Sequence, residues 1–216
     1  MANISGTSGN DSLTGSTGAD SISGGGGNDT LVGNGGKDTL NGGTGNDVYV
    51  IDSLDDSITG ESSSLNGSDT IETTYDFGSA ALRGYIENLT LRGAVINGYG
   101  NTLNNTILGN ERNNYLFGDS GNDTLNGGAG LDTLSGGAGN DSLIGGLADD
   151  SLTGGAGTDT LEGGDGGDTY ELTSTDTSDV IKETGSGGRD VVKAGYTYTL
   201  AGKATLSLTV TATDET

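Results

Sequence analysis

The sequence predicts an all-β chain, a parallel β-roll in two repeat blocks, each followed by a strand-rich capping segment. Three observations predict it. Six nine-residue units, GDSGNDTLN, GGAGLDTLS, GGAGNDSLI, GGLADDSLT, GGAGTDTLE and GGDGGDTYE, follow one another from Gly118 to Glu171 without insertion. Glycine holds place one, aspartate place six, and Leu125, Leu134, Leu143, Leu152, Leu161 and Tyr170 hold place eight. Finally, only 30% of the 216 residues are hydrophobic and 44 are glycine, a composition that argues against a conventional globular core.

Each unit reads as a loop and a short strand. Glycines in places one to six allow tight reversals and positive φ. Places seven to nine run polar, apolar, polar, which at period two turns the eighth side chain inward. Two units then make one flat coil of eighteen residues. Stacking coils pairs each strand in parallel with its equivalents and buries a thin apolar column between two sheets.

The first block precedes this stretch and has the same form. GTSGNDSLT, GSTGADSIS, GGGGNDTLV, GNGGKDTLN and GGTGNDVYV run from Gly6 to Val50, with Leu13, Ile22, Leu31, Leu40 and Tyr49 at place eight. Both blocks end in a tyrosine, Tyr49 or Tyr170, which marks the start of a cap. After Tyr49 the period is lost, and Val48–Ile51, Thr70–Tyr75 and Tyr85–Leu91 read as strands from their β-branched and aromatic content. The same features recur after Tyr170: Asp190-Val191-Val192 answers Asp69-Thr70-Ile71, Gly188 answers Gly67, and Leu208-Thr209-Val210 answers Leu89-Thr90-Leu91. The chain thus divides into residues 1–92, with repeats over 6–50, and residues 93–216, with repeats over 100–171. Between the blocks, GNTLNNTIL and GNERNNYLF keep the glycine and place eight but put Asn105 and Asn114 at place six. Those turns continue the coil with weak or absent cation sites. Ala148 replaces a place-four glycine and puts one loop's geometry in doubt.

Stacking creates an electrostatic problem. Aspartates two units apart share one edge, at about one strand spacing of 4.8 Å, where bare carboxylates repel. Exposed loop carbonyls add further oxygens. A hard cation taking six to eight oxygens at about 2.3–2.6 Å suits such a strip, so calcium fits best; magnesium demands a stricter octahedron. The absence of His and Cys argues against zinc and removes thiol nucleophiles, disulfides and Ser-His-Asp triads. The candidate ligands are Asp11, Asp20, Asp29, Asp38 and Asp47 in the first block and Asp123, Asp132, Asp141, Asp150, Asp159 and Asp168 in the second.

The pattern GGxGxDxUx, repeated in register, resembles the nonapeptide of the RTX, or haemolysin-type calcium-binding, family. The resemblance implies that each six-residue loop binds calcium through its aspartate and backbone carbonyls, together with the loop two units later. It implies the pairings Asp11 with Asp29, Asp20 with Asp38, Asp29 with Asp47, Asp123 with Asp141, Asp132 with Asp150, Asp141 with Asp159, and Asp150 with Asp168, about seven calcium ions in all. It also implies a secreted, extracellular or cell-surface protein exported by a type I machinery that reads a C-terminal signal. Residues Lys203–Thr216 would hold that signal and are weakly marked. The opening MANISGTSGN has neither the basic nor the apolar region of a secretory signal peptide.

A net charge of −23, from 31 acidic against 8 basic residues, makes nucleic acid and anionic membranes poor partners and cations natural ones. No segment is apolar for long enough to span a bilayer. No acid/base carboxylate couple stands out beyond the repeats, so a non-enzymatic role is expected. The first functional class is a calcium-responsive folding and export module. A carbohydrate-binding or adhesive module, with an extracellular polysaccharide as partner, is the alternative. The Ser/Thr column at place seven makes an ice-binding solenoid a remote third, since Thr favours strands in any case.

Overall fold

The computed structural model of the chain describes residues 1–61, 67–75, 84–173, 178–185, 187–194 and 209–210. It divides into two compact units, residues 1–95 and 96–216. Among the described residues both are built from parallel strands, with no helix.

The first unit carries β1 (Asn3–Ser5), β2 (Ser12–Thr14), β3 (Ser21–Gly26), β4 (Thr30–Val32), β5 (Thr39–Thr44), β6 (Val48–Ile51), β7 (Ser57–Ile58), β8 (Thr70–Thr73) and β9 (Asn88–Leu91). Strands β1, β3, β5 and β7 pair in one sheet, and β2, β4, β6, β8 and β9 in the other. The second unit carries β10 (Asn97–Tyr99), β11 (Thr106–Leu108), β12 (Tyr115–Ser120), β13 (Thr124–Ala129), β14 (Thr133–Ala138), β15 (Ser142–Leu147), β16 (Ser151–Ala156), β17 (Thr160–Asp165), β18 (Thr169–Leu172), β19 (Val180–Lys182), β20 (Val191–Ala194) and β21 (Thr209–Val210). Here β10, β12, β14, β16, β18, β20 and β21 pair in one sheet and β11, β13, β15, β17 and β19 in the other. Within the repeats the register advances by one coil, Leu116 opposite Leu134 and Leu134 opposite Leu152 in one sheet, Leu125 opposite Leu143 and Leu143 opposite Leu161 in the other. This is the predicted parallel β-roll.

The core is the place-eight column. Leu31, Leu40 and Tyr49 in the first unit, and Ile107, Leu116, Leu125, Leu134, Leu143, Leu152, Leu161 and Tyr170 in the second, are fully buried. Their neighbours at places seven and nine face outward, as period two requires.

Three features go beyond the expectation. Most repeat strands are longer than places seven to nine, because places one to three of the next unit also pair across the coil, as with Gly137 opposite Gly155 and Ala138 opposite Ala156. Next, the left-handed backbone falls at places two and four, as at Gly137 (φ 112°) and Gly139 (φ 141°). Ala148 takes the same conformation as the glycine it replaces, with φ 80°, so that loop keeps its shape at a cost of about 1 kcal/mol.

The third feature concerns the segments beyond the tyrosines. Tyr49 stands opposite Ile71 and Tyr170 opposite Val192, so β8 and β20 add in parallel to the stack with turns of twenty-two residues in place of eighteen. Strand Thr70–Thr73 is shorter than the predicted 70–75, and β9 begins at Asn88 instead of Tyr85. Ile71 faces Leu89 whereas Val192 faces Val210, so Val210 answers Leu89 and the predicted correspondence slips by two residues. A two-residue slip keeps the same face inward, which is why the pattern did not betray it. Leu208 and, apart from β21, the predicted export signal lie outside the described residues.

Candidate metal centre

The place-six aspartates form two ladders in each unit, one for each set of alternate loops. Each except Asp11 accepts, at Oδ1, the backbone N–H of the residue eighteen positions earlier. Asp11 donates to Asp29, Asp20 to Asp38 and Asp29 to Asp47 in the first unit. In the second, Asp123 donates to Asp141, Asp132 to Asp150, Asp141 to Asp159 and Asp150 to Asp168, at 2.7–2.8 Å. These are the seven pairs the resemblance implied. Except for half-buried Asp11, all eleven aspartates are buried.

The ladders continue past the last nonapeptide. Asp38 and Asp47 donate to Asp56 and Asp69, Asp69 to Glu87, and Asp159 and Asp168 to Asp179 and Asp190. Sequence reasoning missed these acceptors because the turns that carry most of them are longer. Each does sit two residues before the inward residue of a strand, as Asp69 precedes Ile71, and that spacing was the available signal. A further ladder runs at place five, where Asn140 donates to Asn122 Oδ1 and Thr158 to Asn140 Oδ1. This explains the recurrent Asn-Asp.

What the second carboxylate oxygen does divides the loops into two kinds. In the first two turns of each block it closes its own loop. Asp11 Oδ2 accepts Thr7 N–H at 2.6 Å, Asp20 Oδ2 accepts Ser16 N–H at 2.7 Å, and the oxygens of Asn105 and Asn114 accept the N–H of Asn101 and Asn110. In the later loops place two turns left-handed, at Gly25, Asn34, Gly43, Asp119, Gly128, Gly137, Gly146 and Gly164. There the Oδ2 atoms of Asp29, Asp38, Asp47, Asp123, Asp132, Asp141, Asp150 and Asp168 are buried without a hydrogen-bond partner. The backbone conformation at place two therefore separates the two kinds of loop, since Asn34 turns left-handed in an open loop whereas Asn101 and Asn110 close theirs.

An orphaned buried carboxylate oxygen is costly, and these charges respond accordingly. Burial pushes Asp123 and Asp150 up to about 7 and Asp132 and Asp141 up to about 6. Asp38, Asp47 and Asp168 are raised for the same reason. Asp20, in a closed loop, is instead held at about 2 by the N–H groups of Ala2 and Ser16. The surroundings of the open oxygens are themselves oxygen. A Cβ on Gly136 would collide with both Asp141 Oδ2 and the Gly154 carbonyl, and Gly118, Gly127 and Gly145 repeat this convergence. Place one is glycine for this close approach, since its φ is not left-handed. Oxygen-only, anionic and donor-poor surroundings fit a hard divalent cation of the calcium type.

A parallel β-roll edged by such ladders defines a class of cation-stabilised repeat solenoid. The RTX calcium-binding nonapeptide repeat model matches four times, at residues 5–40, 14–49, 99–134 and 135–170, together more than half of the chain. The chain belongs to that family, and it is a calcium-binding repeat module. No curated protein matches it. Among the described residues no helix is long and apolar enough to cross a membrane.

Proposed function

We propose that the chain is the calcium-responsive folding module of a secreted protein, extended in the calcium-poor cytosol and rolled up outside the cell. The observation that carries this reading is the file of buried Oδ2 atoms without a hydrogen-bond partner, in Asp29, Asp38, Asp47, Asp123, Asp132, Asp141, Asp150 and Asp168. The ligands are Asp29, Asp38, Asp47, Asp123, Asp132, Asp141, Asp150, Asp159 and Asp168. Asp11 and Asp20 join them only by giving up the bonds from Thr7 and Ser16. With Asp11 and Asp20 recruited the pairs two units apart give about seven ions, and without them five, in a structural, non-catalytic role. Absence of Pro and Cys removes two slow folding steps, which suits folding that draws the chain outward through a type I exporter. Co-expressed with such an exporter, the chain should accumulate folded in calcium-containing medium; a product already folded inside the cell would overturn the export reading.

The ligand assignment has its own test. Asp141 stands between Asp123 and Asp159, whereas the residue below Asp123 is Asn105, whose side-chain oxygen already accepts Asn101 N–H. Asp141→Asn keeps the shape but weakens two sites, so it should raise the calcium midpoint of folding further than Asp123→Asn. Calcium titrations followed by circular dichroism compare the two. Equal midpoints would exclude bridging between loops two units apart.

A further inference from the structure

Each block ends in a constellation that the nonapeptide does not contain. In the second unit one carboxylate oxygen each from Asp168, Glu183 and Asp190 lies within 4.8 Å of the others. Asp168 is wholly buried and its Oδ2 has no hydrogen-bond partner. Its N–H donates to Asp190 Oδ1 at 3.0 Å, which holds the Asp190 carboxylate beside it. Tyr170 fills place eight, and its hydroxyl accepts Gly163 N–H at 2.8 Å and donates to Glu183 Oε1. A Cβ on Gly163 would collide with both Asp168 Oδ2 and the Tyr170 hydroxyl, so these oxygens converge on one spot.

The first unit repeats the tyrosine, glutamate and ladder contacts with different residues, while among the described residues the 4.8 Å carboxylate cluster is seen in the second unit. Tyr49 accepts Gly42 N–H at 2.9 Å and donates to Glu61 Oε1, while Asp47 N–H donates to Asp69 Oδ1 at 2.8 Å. Asp47 Oδ2 and Glu61 Oε2 are both buried without a hydrogen-bond partner. A Cβ on Gly42 would again meet Asp47 Oδ2 and the tyrosine hydroxyl. In both units tyrosine replaces leucine where the repeat stops, and a glutamate from the following segment lies over the last loop. The tyrosine hydroxyl orients one glutamate oxygen and leaves the other available.

We propose that each block is closed by a further divalent-cation site, held by Asp168, Glu183 and Asp190 in the second unit and by Asp47, Glu61 and Asp69 in the first. Such a site gathers three carboxylates, more than a repeat loop offers, and its glutamate comes from outside the repeats. The cation therefore pins the non-repetitive segment onto the roll, and the tyrosine positions the ligand without touching the ion. The proposal rests on calcium being the ion this chain takes, as argued above.

Counting ions on the purified full chain tests it. Bound calcium is measured by equilibrium dialysis on the parent, Glu61→Gln, Glu183→Gln and the double variant, with Glu171→Gln as control. Glu171 is exposed and paired with Lys193. Each single variant should hold one ion fewer than the parent, the double two fewer, and the control the full number. A full complement in both glutamine variants would overturn the terminal sites, because glutamine mimics a glutamic acid that merely shares a proton. A parent that binds no calcium would instead sink the wider reading. Should either glutamine variant fail to fold, terbium luminescence decides. The chain has no tryptophan, so tyrosine alone sensitises a bound lanthanide. Tyr49→Phe/Tyr170→Phe should lose most of the emission while keeping its calcium, and undiminished emission overturns the proposal.

Discussion

In excess chelator at neutral pH the chain should lose its β-type circular dichroism and its compactness, and millimolar calcium should restore both. The core supplies one buried apolar side chain per nine-residue unit, worth about 1.5–3 kcal/mol. Ordering each residue's backbone costs about 1–2 kcal/mol, so that column cannot carry the fold alone. Opposing it are buried carboxylates stacked in register, and in Asp29, Asp38, Asp47, Asp123, Asp132, Asp141, Asp150 and Asp168 one oxygen has no hydrogen-bond partner. Calcium reverses the sign of this term. A site filled at about ten times its Kd adds about 1.4 kcal/mol, and several such sites match the 5–15 kcal/mol of a typical domain, to order of magnitude. Magnesium at the same concentration should restore little, since it holds its waters and demands a strict octahedron. A spectrum unchanged by chelator would show that the roll stands without metal.

Much of this architecture was legible because the period is strict. With glycine, aspartate and leucine fixed in a nine-residue frame, one coil determines the next, and the inward column from Leu125 to Leu161 follows from alternation alone. The aspartate edge was legible for the same reason. What escaped was set by tertiary hydrogen bonds instead of by pattern. Thr7, Ser16, Asn101 and Asn110 at place two separate the closed loops from the open ones, yet in sequence each is merely a polar residue in a polar loop. Asp69, Asp179 and Asp190 were hidden by longer turns, and Asp56, a full eighteen residues after Asp38, by the missing place-one glycine of its unit, although all four extend the same ladders. Glu61 and Glu183 escaped because only the coil brings them over Tyr49 and Tyr170. Their recurrence at nearly equal distances after those tyrosines was a signal available to a comparison of the two halves.

Without calcium, acid should do part of what the cation does. Burial raises Asp132 and Asp141 to about 6 and Asp123 and Asp150 to about 7 in the folded chain, against an ordinary aspartate value of 3.8. The folded state therefore binds protons more tightly than the unfolded one. Its stability is fully present below the unfolded value, falls as pH rises from there through the folded values, and is flat above them. Lower pH also reduces the repulsion among 31 acidic residues. Protein stripped of calcium on a chelating resin should accordingly show β-type circular dichroism near pH 4.5 and lose it by about pH 7.5. Analytical ultracentrifugation separates folding from aggregation in the acidic sample. With calcium present the linkage runs the other way, because protons compete for the same Oδ2 atoms, and the calcium midpoint should rise as pH falls from about 7.5 to 5.5. A metal-free chain equally unfolded at both pH values, or a calcium midpoint indifferent to pH, would show that these carboxyls are not the groups whose charge the cation balances.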